Sequence, residues 1–176
     1  MKRVLILHGL GGSPAPHWQS WLNDELSKLG FEVLFPELPN KDNPILQEWL
    51  DVLKKILQEF KPNIIVCHSL ANHLWFHLVE KEKVDIVDKL MLVSPVSNSC
   101  DISELSSFIP YPLPSDLRAK EVIMASSDND PYIEVEELIS MQSKLNIGLK
   151  ILENAGHINA KSGYGELACA LEWVQR

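Results

Sequence analysis

The stretch Asn63-Ile64-Ile65-Val66-Cys67-His68-Ser69-Leu70-Ala71, NIIVCHSLA, decides the fold. Its first five residues form a run too short for a helix and almost wholly apolar, as suits a strand buried on both faces. Residues 70–80 follow with helical length and composition, so Ser69 stands where a strand hands over to a helix. Similar runs recur at residues 3–7, 31–35, 87–93, 121–125 and 149–152, and helical segments are expected at 17–29, 133–144 and 164–174. Between the second and third strands Leu46, Trp49, Leu50, Leu53, Leu57 and Phe60 make one helical stripe, with Asn43 as expected cap and Pro44 at the first helical position. Strand and helix in alternation mean a parallel sheet with right-handed crossovers, covered on both faces. The expectation is an α/β protein, a three-layer α/β/α sandwich with about six parallel strands in the order 2-1-3-4-5-6. Residues 95–120 break the rhythm: rich in Ser and Pro, they are longer than an ordinary connection and are expected to form a pocket wall or lid.

With 176 residues and 45% apolar composition, the chain can bury one core, so residues 1–176 are read as a single domain. Sixteen basic against 24 acidic residues give a net charge of −8, spread along the chain. That balance argues against nucleic acid or an anionic membrane as partner. The apolar run of MKRVLIL stops at His8, short of a signal peptide's core, and no stretch is long enough to span a bilayer. Cys67, Cys100 and Cys169 have neither metal-site nor redox-pair spacing and fit unpaired thiols in a reducing compartment. A cytoplasmic location follows as the expectation.

A serine between strand and helix is either a helix cap or the nucleophile of an elbow of the GxSxG kind. The elbow needs small residues two before and two after the serine, because its turn is strained and strand and helix pass close together. Cys67 and Ala71 stand where glycines would, and both are small. The strand at 3–7 runs into His8-Gly9-Leu10-Gly11-Gly12, a loop able to present bare backbone N–H groups. In acyl transfer such groups stabilise the oxyanion, and the expected donors are the Leu10 and Leu70 N–H. The loop could instead be a phosphate-binding turn, though it lacks GxGxxG spacing, or a plain strand-to-helix turn.

His157 in AGHIN follows the last expected strand and could take the proton of Ser69. Asp130 in SSDNDPY follows the fifth strand; it is either the acid that orients His157 or the cap of a helix opened by Pro131, with Asp128 and Glu153 as rival carboxylates. Serine, acid and base thus come in hydrolase order, each at the C-terminal end of a different strand, where parallel sheets bind ligands. Candidate substrate-binding residues are His8, Trp18, Phe108 and Tyr111, with Phe108, Ile109, Tyr111 and Leu113 of the long connection as an apolar wall. His73 and His77 lie four apart but lack the central glutamate of HExxH, so no metal is expected.

Taken together, HGLGGSPAPHWQSWL (residues 8–22), CHSLA (67–71), LVSP (92–95), SDNDPY (126–132 with its leading Ser) and AGHIN (155–159) resemble the small serine hydrolases of the retinoblastoma-binding protein 9 family and its bacterial relatives. The resemblance runs over nearly the whole chain. It implies an α/β-hydrolase core without a large lid domain, with Ser69, Asp130 and His157 as triad and no cofactor. Family members more often carry glycine where this chain has Cys67 and frequently where it has Ala71. The function expected is hydrolysis of ester or related acyl bonds of a small-molecule acyl substrate through an acyl-enzyme. Two alternatives share the scaffold: a thioesterase or acyltransferase using the same triad, and a protein- or ligand-binding module with little activity.

Overall fold

Side chains of a strand alternate between its two faces, so a doubly buried strand must be apolar on both. In the computed structural model, which describes residues 2–176, this is what the apolar runs supply. The elements are β1 (Arg3–Leu7), α1 (Trp18–Lys28), β2 (Glu32–Leu34), α2 (Leu46–Phe60), β3 (Ile64–His68), α3 (Leu70–Lys81), β4 (Val87–Val93), β5 (Ala119–Ser127), α4 (Val135–Leu145), β6 (Gly148–Leu152) and α5 (Ala168–Gln175). All strand pairs are parallel, in the order β2-β1-β3-β4-β5-β6. Leu5, Leu7, Ile65, Cys67, Leu90 and Leu92 face one way, into a core shared with α2, α3 and α4. Val4, Ile6, Ile64, Val66, Met91 and Val93 face the other, against α1 and α5. The result is a three-layer α/β/α sandwich without a large lid domain.

Two boundaries differ from expectation for tertiary reasons. Asn43 and Pro44 lie outside α2, whose N-cap is Ile45 with no side-chain cap of its own. The hydroxyl of Ser107, 61 residues away, accepts from Leu46 N (3.1 Å) and donates to Pro44 O (3.3 Å), so the long connection caps this helix. At the C-terminal end, α5 starts at Ala168 rather than near Tyr164. The Asn159 side chain caps a short 3-10 turn over Ala160–Ser162, and Tyr164 N donates to Asn159 O, which holds residues 159–164 as a loop. The last turn of α5 is anchored by Lys89, whose Nζ donates to Trp173 O (2.8 Å) and suits the negative end of the helix dipole.

The connection between β4 and β5 is packed down as a strap. Phe108 is fully buried, its ring 5.2 Å from that of Trp49. Tyr111 stacks on His73 at 3.9 Å and donates its hydroxyl to Val96 O (2.8 Å). Burial lowers the pKa of His73 to about 3 and also lowers that of His77. Both rings are therefore neutral, and their Nε2 atoms lie 3.0 Å from Val96 O and 2.9 Å from Phe108 O. The two histidines fasten the strap to α3. Among the described residues no group of three or more His, Cys, Asp or Glu is placed to hold a metal ion, all three cysteines are free, and no helix is long and apolar enough to cross a membrane.

Candidate active site

The strand order reverses at β1 and β3, and the helices that follow them, α1 and α3, depart to opposite faces of the sheet. A crevice opens where neighbouring connections diverge in this way, at the carboxyl ends of the strands. Ser69 sits at that edge, in a turn with φ 53° and ψ −120°. A left-handed φ at a non-glycine residue is strained, and the surroundings must hold it. Here Asn72 does so: its Nδ2 donates to both Ser69 O and Val93 O, each at 2.8 Å, while Ser69 N donates to Val93 O (2.9 Å). Cys67 and Ala71 are fully buried in the core on either side of the turn, and burial pushes the Cys67 thiol pKa up, leaving it an inert packing group.

The glycine loop after β1 lies hard against this turn. A Cβ on Gly9 would stand 2.7 Å from Ser69 Cβ and 3.2 Å from both Ser69 Oγ and His68 O, so only glycine fits. Gly11 N donates to Lys41 O (2.8 Å) and Gly12 N to Gly9 O (3.3 Å), whereas the Leu10 N–H between Gly9 and Gly11 has no protein acceptor among the described residues. Leu70, the first residue of α3, is one of the helix-start amides that lack an intrahelical acceptor.

His157 Nε2 lies 2.8 Å from Ser69 Oγ, and its Nδ1 lies 2.9 and 3.0 Å from the two carboxylate oxygens of Asp130. The carboxylate can only accept, which assigns the proton to Nδ1 and leaves the Nε2 lone pair for the serine hydroxyl. Asp130 also accepts from Tyr132 N (3.0 Å), and the Tyr132 ring stands edge-on to His157 at 4.7 Å. The rival carboxylates are placed otherwise: Asp128 accepts from Asn154 N (2.7 Å), and Glu153 is exposed.

A ladder of side chains joins the loop of Asp130 to that of His157. Asp128 Oδ1, Ser127 Oγ and Asn129 Oδ1 accept from the N–H of Asn154, Ala155 and Gly156 in turn, at 2.7, 2.8 and 2.7 Å. Ser162 Oγ accepts from His157 N (3.2 Å). His68, buried beside Ser69, has its pKa held well below the usual histidine value by burial and then by the nearby His157 and His17. It is neutral, and its Nε2 donates to His157 O (3.1 Å).

A half-open cleft of about 460 Å³ lies over Ser69 and His157. Its walls include Leu10, His17, Val96, Ile102, Leu105, Tyr132 and Lys161. The expected pocket residues His8, Trp18, Phe108 and Tyr111 are not among them. His8 is buried, with Nε2 accepting from Leu38 N (2.9 Å). Trp18 is fully buried and donates its indole N–H to Ile158 O (2.7 Å). Phe108 and Tyr111 face the core beneath the strap, and Ile102 and Leu105 of the same connection reach the cleft instead. A loop has no period to tell a cleft-facing apolar residue from a core-facing one, so the sequence carried no signal for this exchange. His17, which the sequence places at the start of the helix expected over 17–29, is instead that helix's N-cap and lines the cleft.

The serine hydrolase family matches this chain over residues 4–176. The chain belongs to that family. Among curated proteins, this serine hydrolase is 35% identical over 71 residues to YdeN of Bacillus subtilis (strain 168), a match covering 40% of this chain and 37% of YdeN. In three dimensions it is similar to the crystal structure of the B. subtilis ydeN gene product, with a TM-score of 0.85 at 22% identity over 99% of this chain and 97% of the other. A YdeN-like protein from Pectobacterium atrosepticum gives 0.78 at 21% identity over 98% and 89%. The esterase domain of a Rhodothermus marinus protein gives 0.70 at 12% identity over 99% and 87%. At these identities the structural likenesses establish the shared α/β-hydrolase fold, and the family match makes the chain a hydrolase.

Proposed function

We propose that this serine hydrolase cleaves carboxylic esters of small molecules through an acyl-enzyme, with Ser69 as nucleophile, His157 as base and Asp130 as the group that orients the histidine. The observation that carries the reading is the continuous chain from Ser69 Oγ to His157 Nε2 (2.8 Å) and from Nδ1 to Asp130 (2.9 Å). The Oγ proton passes to Nε2 as Oγ bonds to the acyl carbon, and Asp130 stabilises the imidazolium so formed. The carbonyl oxygen becomes an oxyanion held by the Leu10 and Leu70 N–H, each such donor contributing about 3–4 kcal/mol to the transition state. His157 then gives its proton to the departing alkoxide. A water molecule, losing a proton to His157, attacks the acyl carbon, and Ser69 leaves with that proton as the acid is released.

The deciding experiment is labelling by a fluorophosphonate together with para-nitrophenyl butyrate hydrolysis. Wild type is expected to label at Ser69 and to turn the ester over, and Ser69→Ala to do neither. A folded wild type that shows neither label nor turnover would sink the reading and leave the scaffold without this chemistry.

A further inference from the structure

Val96, Ile102, Leu105 and Tyr132 give the cleft an apolar part of its lining. The segment before α1 is tied to the loop after His157, as Trp18 N donates to Tyr164 O (3.1 Å) and the Trp18 indole to Ile158 O (2.7 Å), and His17 and Lys161 from these two segments both line the cleft.

His17 is the side-chain cap of α1. Its Nδ1 accepts from Gln19 N (3.1 Å), so in the neutral ring the proton resides on Nε2. Protonating Nδ1 would break that bond and place a cation at the positive end of a helix dipole. Burial, and after it the neighbouring His157 and His8, lower the pKa of His17 to about 4, so the Nε2–H donor persists across the physiological range without carrying charge. Among the described residues no protein atom accepts from that Nε2, although the ring lines the cleft and is only 5% exposed. Lys161 is exposed at the rim and takes part in no ion pair among the described residues. No Asp or Glu lines the cleft, in a chain with 24 acidic residues against 16 basic ones. An Nε2–H that opens to the cleft with no protein acceptor, in a lining that also carries a cation without an anion and no acid, suits a ligand oxygen that is negatively charged.

We propose that His17 and Lys161 form a subsite for a carboxylate carried by the substrate, with the His17 Nε2–H as donor and the Lys161 ammonium as counter-charge. One cation and one uncharged donor match a monoanion, which favours a carboxylate over a phosphate dianion. The substrate is then an ester with an apolar part against Val96, Ile102, Leu105 and Tyr132 and an acidic group against His17. This inference rests on the esterase reading and deepens it.

The test compares kcat/KM for anionic and neutral esters, with the carboxylate on either half. The acyl arm sets para-nitrophenyl hydrogen glutarate against para-nitrophenyl butyrate, and the alcohol arm sets para-acetoxybenzoate against para-cresyl acetate. The variants are Lys161→Met, which removes an exposed charge, and His17→Asn, which keeps a good N-cap while withdrawing the ring from the cleft. On one arm the anionic-to-neutral ratio is expected to fall roughly fivefold in Lys161→Met. The same ratio should fall further in His17→Asn, with wild type but not Lys161→Met losing preference as salt is added. Taking the ratio against wild type cancels intrinsic ester reactivity. Ser69-dependent butyrate hydrolysis with ratios unchanged in both variants on both arms overturns the subsite alone. Absence of Ser69-dependent turnover of every ester overturns the esterase reading and the subsite with it.

Discussion

Replacing Gly9 by alanine tests whether the loop after β1 supplies an oxyanion donor. The new Cβ would stand 2.7 Å from Ser69 Cβ, where carbon atoms rest at about 3.5–4.0 Å. Ser69 cannot yield, because Asn72 and Val93 clamp its backbone on both sides. The loop must therefore retreat by about 1 Å, and the Leu10 N–H goes with it. A donor displaced that far no longer reaches the oxyanion, so kcat should fall by about 100- to 1000-fold. Overpacking of this kind costs about 1–3 kcal/mol, and a chain of this size loses roughly 2–4 °C in Tm for each kcal/mol. Gly9 has no positive φ, so the effect is steric and owes nothing to backbone strain. Ester hydrolysis gives kcat, thermal melting reports folding, and labelling shows whether Ser69 stays reactive. A folded Gly9→Ala enzyme with kcat within about threefold of wild type would refute the assignment of Leu10 as donor.

Other expectations follow from the same geometry. Asp130→Asn keeps the shape and can still accept from Tyr132 N, but it presents an amide to His157 Nδ1 and no longer fixes the tautomer; kcat should drop roughly 10³–10⁴-fold with little change in Tm, as steady-state kinetics and melting would show. Phe108→Ala empties a fully buried site beside Trp49, so urea unfolding should reveal a loss of about 3–5 kcal/mol, while acyl-chain preference among short para-nitrophenyl esters stays as in wild type. His17 and His73 titrate at about 4 and about 3 when folded, against a usual value of 6.5, so the unfolded chain binds more protons below 6.5. Stability is then level above pH 6.5 and declines as the pH falls towards 4, with His17→Asn flattening the decline; urea midpoints unchanged between pH 7 and 5 would contradict this.

The strands were legible because burial on both faces leaves no room for polar residues, and Val4–Leu7 or Ile64–Cys67 could be little else. Their parallel pairing followed from alternation with helices, and Ser69, Asp130 and His157 each follow an expected strand in the sequence. What the sequence hid is held by contacts distant along the chain. The start of α2 depends on a serine 61 residues away, and the strap presents Leu105 to the cleft while burying Phe108 three residues on. The choice among Asp128, Asp130 and Glu153 depends on where the loop after β6 sets the Asn154 N–H and the His157 ring, a matter of ångströms that no spacing rule contains.

The ladder from Ser127, Asp128 and Asn129 to the backbone of residues 154–156 ties the loops that carry Asp130 and His157 into one piece. None of its rungs comes from the β4–β5 strap, whose own link to the Asp130 loop is the bond from Ser97 N to Tyr132 O (2.9 Å). The spacing of Asp130 and His157 is thereby set by bonds other than those that shape the strap's face of the cleft. A longer insertion at the exposed Glu104 or Ser106 could roof the cleft and change what enters it while Ser69, His157 and Asp130 beneath keep their spacing.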